Sequence, residues 1–143
     1  MGTRTSAGSV ARWGPVLLLD CIAIVGLVVV GQQTHGGDPF GNLLRTGETV
    51  APFLLGWLTI SVLGGLYPNP PAGAVDRLRL LVVCWFAAAN VGFLLRGSPP
   101  LPGGVPWEFT AVFTGFGAII LVGVHAGDVL VRAYRHRVGA TTP

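Results

Sequence analysis

Four long stretches almost free of charge dominate this chain: Trp13–Gly31, Val50–Tyr67, Leu80–Leu95 and Phe109–Gly127. Asp20 is the one formally charged residue inside them. An α-helix rises about 1.5 Å per residue, so roughly 20 apolar residues cross the hydrocarbon of a bilayer. The runs are continuous, unlike the ten-residue alternation of an outer-membrane barrel. Helices are then the way to satisfy the backbone where water is absent. The sequence therefore predicts an all-α, integral membrane four-helix bundle with spans at about 13–31, 50–67, 79–96 and 108–131. These make one transmembrane domain, residues 13–135, between an N-terminal tail (1–12) and a C-terminal tail (136–143). The third span is short, but Arg79 and Arg96 at its ends can snorkel to the headgroups.

Composition agrees. Hydrophobic residues make up 51% and charged residues 10%, against about 25% charged in soluble domains. That balance excludes a soluble enzyme domain, a coiled coil and a disulfide scaffold. The 22 glycines and 11 prolines do not signal disorder in so apolar a chain.

All the basic residues are arginines, and they set the expected orientation. Arg4, Arg12, Arg77, Arg79, Arg132, Arg135 and Arg137 fall on one side of the four spans, Arg45 and Arg96 on the other. With short loops, this asymmetry predicts a cell-membrane protein with both termini cytoplasmic. Trp13, Tyr67 and Tyr134 then sit at the inner interface and Trp107 at the outer one. A cleaved signal peptide is not expected, because the first apolar region is too long and carries Asp20. Pro68-Asn69-Pro70-Pro71 should end the second span, and the Ser98–Gly104 segment forms a stiff outer turn. Pro52 and Pro106 are each read as lying near a helix start.

Intramembrane polar groups are the candidate functional residues. Asp20 lies eight residues beyond Arg12 and His125 seven before Arg132, which puts both at about 10–12 Å from the same interface. Asp128 follows His125 at i+3 on the same face. A lone carboxylate at this depth is costly, so Asp20 should face protein. Its layer is either a site that handles protons or cations, or an interhelical hydrogen bond that fixes packing. A second polar layer comprises Gln32, Gln33, His35, Asn90, Arg96, Glu108 and Thr110, which can line an outer vestibule.

Other chemistry finds no support. Cys21 and Cys84 lie in different spans without a C-x-x-C. His35, His125 and His136 are too scattered for a metal site. H-E-x-x-H, G-x-S-x-G and Walker sequences are absent from the chain. No cofactor and no enzymatic activity are expected. The Arg132–Arg137 segment reads as a positive-inside anchor rather than a nucleic-acid contact. Small residues at i, i+4 predict close helix packing at Ser61 with Gly65, Ala88 with Gly92, and Gly123 with Gly127.

The order Asp20, Gly31-x-x-x-His35, Ala51-Pro52-Phe53-x-x-Gly56-Trp57, Gly92-Phe93-Leu94-Leu95-Arg96, then Thr110 and Phe113, resembles a known family. It is that of the small four-helix prokaryotic membrane proteins called domain of unknown function 3054, and the likeness spans about residues 15–135. The resemblance implies a four-span protein of the cytoplasmic membrane and draws attention to Asp20, His35, Pro52 and Arg96 as a set. It carries no activity. Two functional expectations stand. One is an accessory or interaction component of the membrane, with the lipid bilayer, a homo-oligomer or a larger complex as partner. The other is a small proton- or cation-coupled transporter, oligomeric, with Asp20 as its intramembrane carboxylate. The substrate is left open.

Overall fold

A computed structural model describes residues 7–99 and 104–139. Four helices account for most of them: α1 (Ala7–Thr34), α2 (Leu43–Leu63), α3 (Ala74–Arg96) and α4 (Trp107–Gly139). Each is long and apolar enough to cross a membrane, and the protein is an all-α, multi-pass membrane protein. Successive helices are neighbours and α4 closes the ring against α1. The chain runs up and down. Trp13 and Tyr67 meet at one end, here called proximal; Gln32 and Thr49 meet at the other, here called distal.

The helix boundaries follow local chemistry more closely than hydropathy does. α2 begins seven residues before the expected start of the second span, because Asn42 caps it: its side-chain oxygen accepts from the Arg45 N–H at 3.2 Å. Pro52 consequently lies inside α2 rather than at its start, fully buried, and withholds the N–H that the Glu48 carbonyl would otherwise accept. α2 also ends early, at Leu63. Gly65 takes φ 77°, which favours glycine, and the Leu66 N–H reaches the Ser61 carbonyl at 3.0 Å while that of Gly65 reaches Val62 at 3.1 Å. This paired pattern is a Schellman stop. A second one ends α1 around Gly36, φ 76°. Pro106 precedes α4 and accepts from the Thr110 N–H, in keeping with its expected place at a helix start.

Close approach of α2 and α3 depends on Gly56 and Gly92. A Cβ on Gly56 would stand 2.5 Å from the Ala88 carbonyl oxygen, and one on Gly92 would stand 2.4 Å from the Phe53 ring. Ala88 and Gly92 thus pack as their spacing suggests. The other two small-residue pairs are placed differently. Ser61 is buried and donates to the Trp57 carbonyl of its own helix, and Gly65 is the turn residue. Gly123 and Gly127 look out of the bundle, and a Cβ on either would meet nothing within 4 Å. The close contact on α4 is instead at Gly117, which lies against the Trp85 indole.

Aromatic rings fill the core. Phe53, Phe93, Phe109 and Phe113 pack together in the distal half, Phe53 and Phe113 meeting across the ring diagonal with centroids 4.2 Å apart. Trp85 lies below them, 5.6 Å from Phe113 and 6.0 Å from Trp57. It donates its indole N–H to the Thr114 carbonyl at 2.8 Å. Arg4 and residues 100–103 and 140–143 lie outside the described residues, as do the side chains of Arg12, Arg132 and His136.

Candidate functional site

The proximal core holds the site. Asp20 on α1 is completely buried and His125 on α4 is 2% exposed. His125 Nε2 lies 2.9 Å from Asp20 Oδ2. Their nearly equal distance along the chain from the flanking arginines, eight and seven residues, is why two antiparallel helices bring them to one depth. The Tyr67 hydroxyl donates to the same oxygen. Oδ2 therefore collects two contacts, while Asp20 Oδ1 and His125 Nδ1, both buried, have no protein partner among the described residues. With Nε2 donating to the carboxylate, Nδ1 of a neutral imidazole is an open acceptor, and it becomes a donor when the ring is protonated.

Tyr67 is the residue of this buried cluster that span counting misplaces. Read as a ring at the membrane interface, it is in fact 2% exposed. The Schellman stop at Gly65 turns the chain back, so that Leu66 and Tyr67 re-enter the bundle instead of continuing α2 outward. Tyr67 is then held between Trp13, stacked at 5.9 Å, and Trp57, edge-on at 6.3 Å. The consecutive glycines 64 and 65 before an aromatic pair with Asp20's depth as the one usable sign of this in the sequence. Trp57 is fully buried, its ring edge-on to that of Tyr67. Asp128 lies about one turn further along α4, half-buried.

The distal polar residues divide. Gln32 spans two threonines of α2, donating to Thr49 Oγ1 at 3.4 Å and accepting from Thr46 Oγ1 at 2.9 Å. Arg96 lies over the Phe109 ring at 5.7 Å, and its Nε donates to the Gly104 carbonyl at 3.4 Å. These residues, with His35, Arg45 and Glu108, line a cleft of about 1240 Å³ between α1, α2 and α4. His35 is exposed at its mouth. Asn90 does not join them: it is exposed and donates to the Phe86 carbonyl one turn back on α3 at 2.7 Å. An amide facing outward from an apolar helix is satisfied most easily by its own backbone, which explains the departure from the vestibule expected for it. Ile24, Val28 and Leu121, all buried, stand between the cleft and Asp20.

Among the described residues no cluster of three or more His, Cys, Asp or Glu side chains is placed to hold a metal ion. A family model described as protein of unknown function (DUF3054) matches residues 17–127 of the chain, a segment that contains Asp20, Tyr67 and His125. No curated protein and no solved structure matches it.

Proposed function

The chain belongs to the DUF3054 family, and from that premise we propose that it is a small proton-coupled transporter of the cytoplasmic membrane, with Asp20 and His125 as its proton-carrying pair. The proximal end, where the arginine-rich segments lie, faces the cytoplasm, and so do both termini. The protein acts without enzymatic chemistry and as an oligomer, since a four-helix ring is narrow.

The observation that carries this reading is the uneven satisfaction of the buried pair. A carboxylate retained for packing alone is best served when both of its oxygens are bonded, because an unsatisfied buried acceptor costs free energy. Here Tyr67 and His125 converge on Oδ2 and leave Oδ1 and Nδ1 open. Each of the two titratable groups thus keeps a site where a proton can arrive or leave. Tyr67 orients the carboxylate while having no role in carrying charge.

The experiment is proton flux into vesicles containing the purified protein, with potassium and valinomycin clamping the potential and an internal pH dye as readout. The expected result is a flux that Asp20→Asn abolishes, with the variant's detergent elution profile unchanged, because asparagine keeps the shape and cannot ionise. Absence of flux with the parent protein, or equal flux with the variant, overturns the proposal. A second reading, as an accessory component of a larger membrane complex, is supported by the outward Gly123/Gly127 face of α4. Mass measurement after mild-detergent purification separates the two: a larger complex containing other proteins supports the accessory role.

A further inference from the structure

The distal cleft has a different chemistry from the proximal site. It enters between α1, α2 and α4, and its volume of about 1240 Å³ exceeds the roughly 300–1,000 Å³ of ordinary small-molecule pockets. Its deeper walls are Leu27, Val28 and Phe113, all apolar. Val30, Val112 and Phe116 also line it, and they are 56–57% exposed. These three lie within the stretches of α1 and α4 that are apolar enough to span the membrane, so the cleft opens sideways into lipid as well as upward at the membrane surface.

The rim is polar and cationic. Arg45 and Arg96 both line the cleft, and neither forms an ion pair among the described residues. Two guanidinium groups facing one cleft match a carboxylate or phosphate, which accepts bidentate hydrogen bonds from arginine. Of the acidic residues at the rim, Asp38 is engaged with the Phe40 and Gly41 N–H groups at 3.2 and 2.8 Å. Glu108 occupies the exposed first turn of α4, where its charge complements the helix N-terminus.

We propose that this cleft binds a single-chain amphiphile with an anionic head, taken from the adjacent leaflet: the chain lies against Leu27, Val28, Val112 and Phe113, and the head lies between Arg45 and Arg96. A free polar solute would use only the rim, because the walls below it are apolar and open to hydrocarbon, where polar groups find no partner. The site is independent of the buried pair, from which Ile24, Val28 and Leu121 separate it.

The test uses the full chain in nanodiscs of zwitterionic lipid, titrated with pyrene-labelled hexadecanoate. The comparison ligands are the matching quaternary ammonium amphiphile and inorganic phosphate. Saturable binding of the carboxylate amphiphile is expected, weakened at least tenfold in the Arg45→Gln/Arg96→Gln double variant and tightened in Glu108→Gln. Val112→Trp, at a half-exposed wall position that tolerates bulk, should also weaken binding by narrowing the cleft. Equal binding of the two amphiphiles, or binding insensitive to both the arginine and the Val112 variants, would reduce the observation to partition into the bilayer and overturn the proposal. Inorganic phosphate that competes at comparable concentration would overturn it too, by assigning the arginines to a free anion. Asp20→Asn, which eliminates the proposed proton carrier, should bind the amphiphile as the parent does.

Discussion

Adding one methyl group to α4 should have opposite consequences at two glycines six residues apart. In Gly117→Ala the new Cβ would stand 2.1 Å from Trp85 Cζ2 and 2.7 Å from Cε2. Carbon atoms settle at about 3.5–4.0 Å, so the indole must retreat by about 1.4 Å or α4 must move away. Trp85 is 1% exposed and is flanked by Trp57 and Phe113. A shift of that size would break its 2.8 Å bond to the Thr114 carbonyl. Overpacking a core costs about 1–3 kcal/mol and the lost hydrogen bond about 0.5–1.5 kcal/mol, so the loss should be about 2–4 kcal/mol. In Gly123→Ala the methyl group meets nothing, and replacing a helical glycine by alanine gains at most about 1 kcal/mol. Unfolding in mixtures of mild detergent and dodecyl sulfate, followed by circular dichroism, measures both. A Gly117→Ala variant as stable as the parent, or a loss at Gly123→Ala equal to that at Gly117→Ala, would refute the packing argument.

Three further outcomes follow from the same structure. Tyr67→Phe keeps the ring between Trp13 and Trp57 but removes a donor from buried Asp20; it should cost about 1–3 kcal/mol in the same unfolding assay, and a cost near zero would mean the hydroxyl is not what satisfies the carboxylate. Gly65→Ala forces a side chain into φ 77°, a strain of roughly 1–2 kcal/mol, and should raise the accessibility of Tyr67 to a water-soluble tyrosine reagent; unaltered stability and labelling would show that the chain reversal does not depend on glycine. For topology, reporter fusions after Pro71 should read cytoplasmic and fusions at Gly41 external, as the arginine asymmetry requires; the reverse pattern would invert the proposed orientation.

Sequence alone determined the class and the depth of the main polar residues. Charge is so expensive in hydrocarbon that its near absence over four stretches dictates spanning helices, and helical rise converts distance from Arg12 and Arg132 into the shared level of Asp20 and His125. The family resemblance was legible for the same reason: its motifs sit on those spans. Rotation of each helix about its axis was not legible, because an apolar residue serves equally against lipid or protein and leaves little amphipathic pattern to read. The tertiary structure therefore decided that Asn90 faces outward, that Gly117 rather than Gly123 receives a neighbour, and that Val28 and Val112 wall a cleft. It also decided the fate of Tyr67. Hydropathy records only that an aromatic residue ends an apolar run, whereas a single left-handed glycine at position 65 reverses the chain and returns that phenol to Asp20.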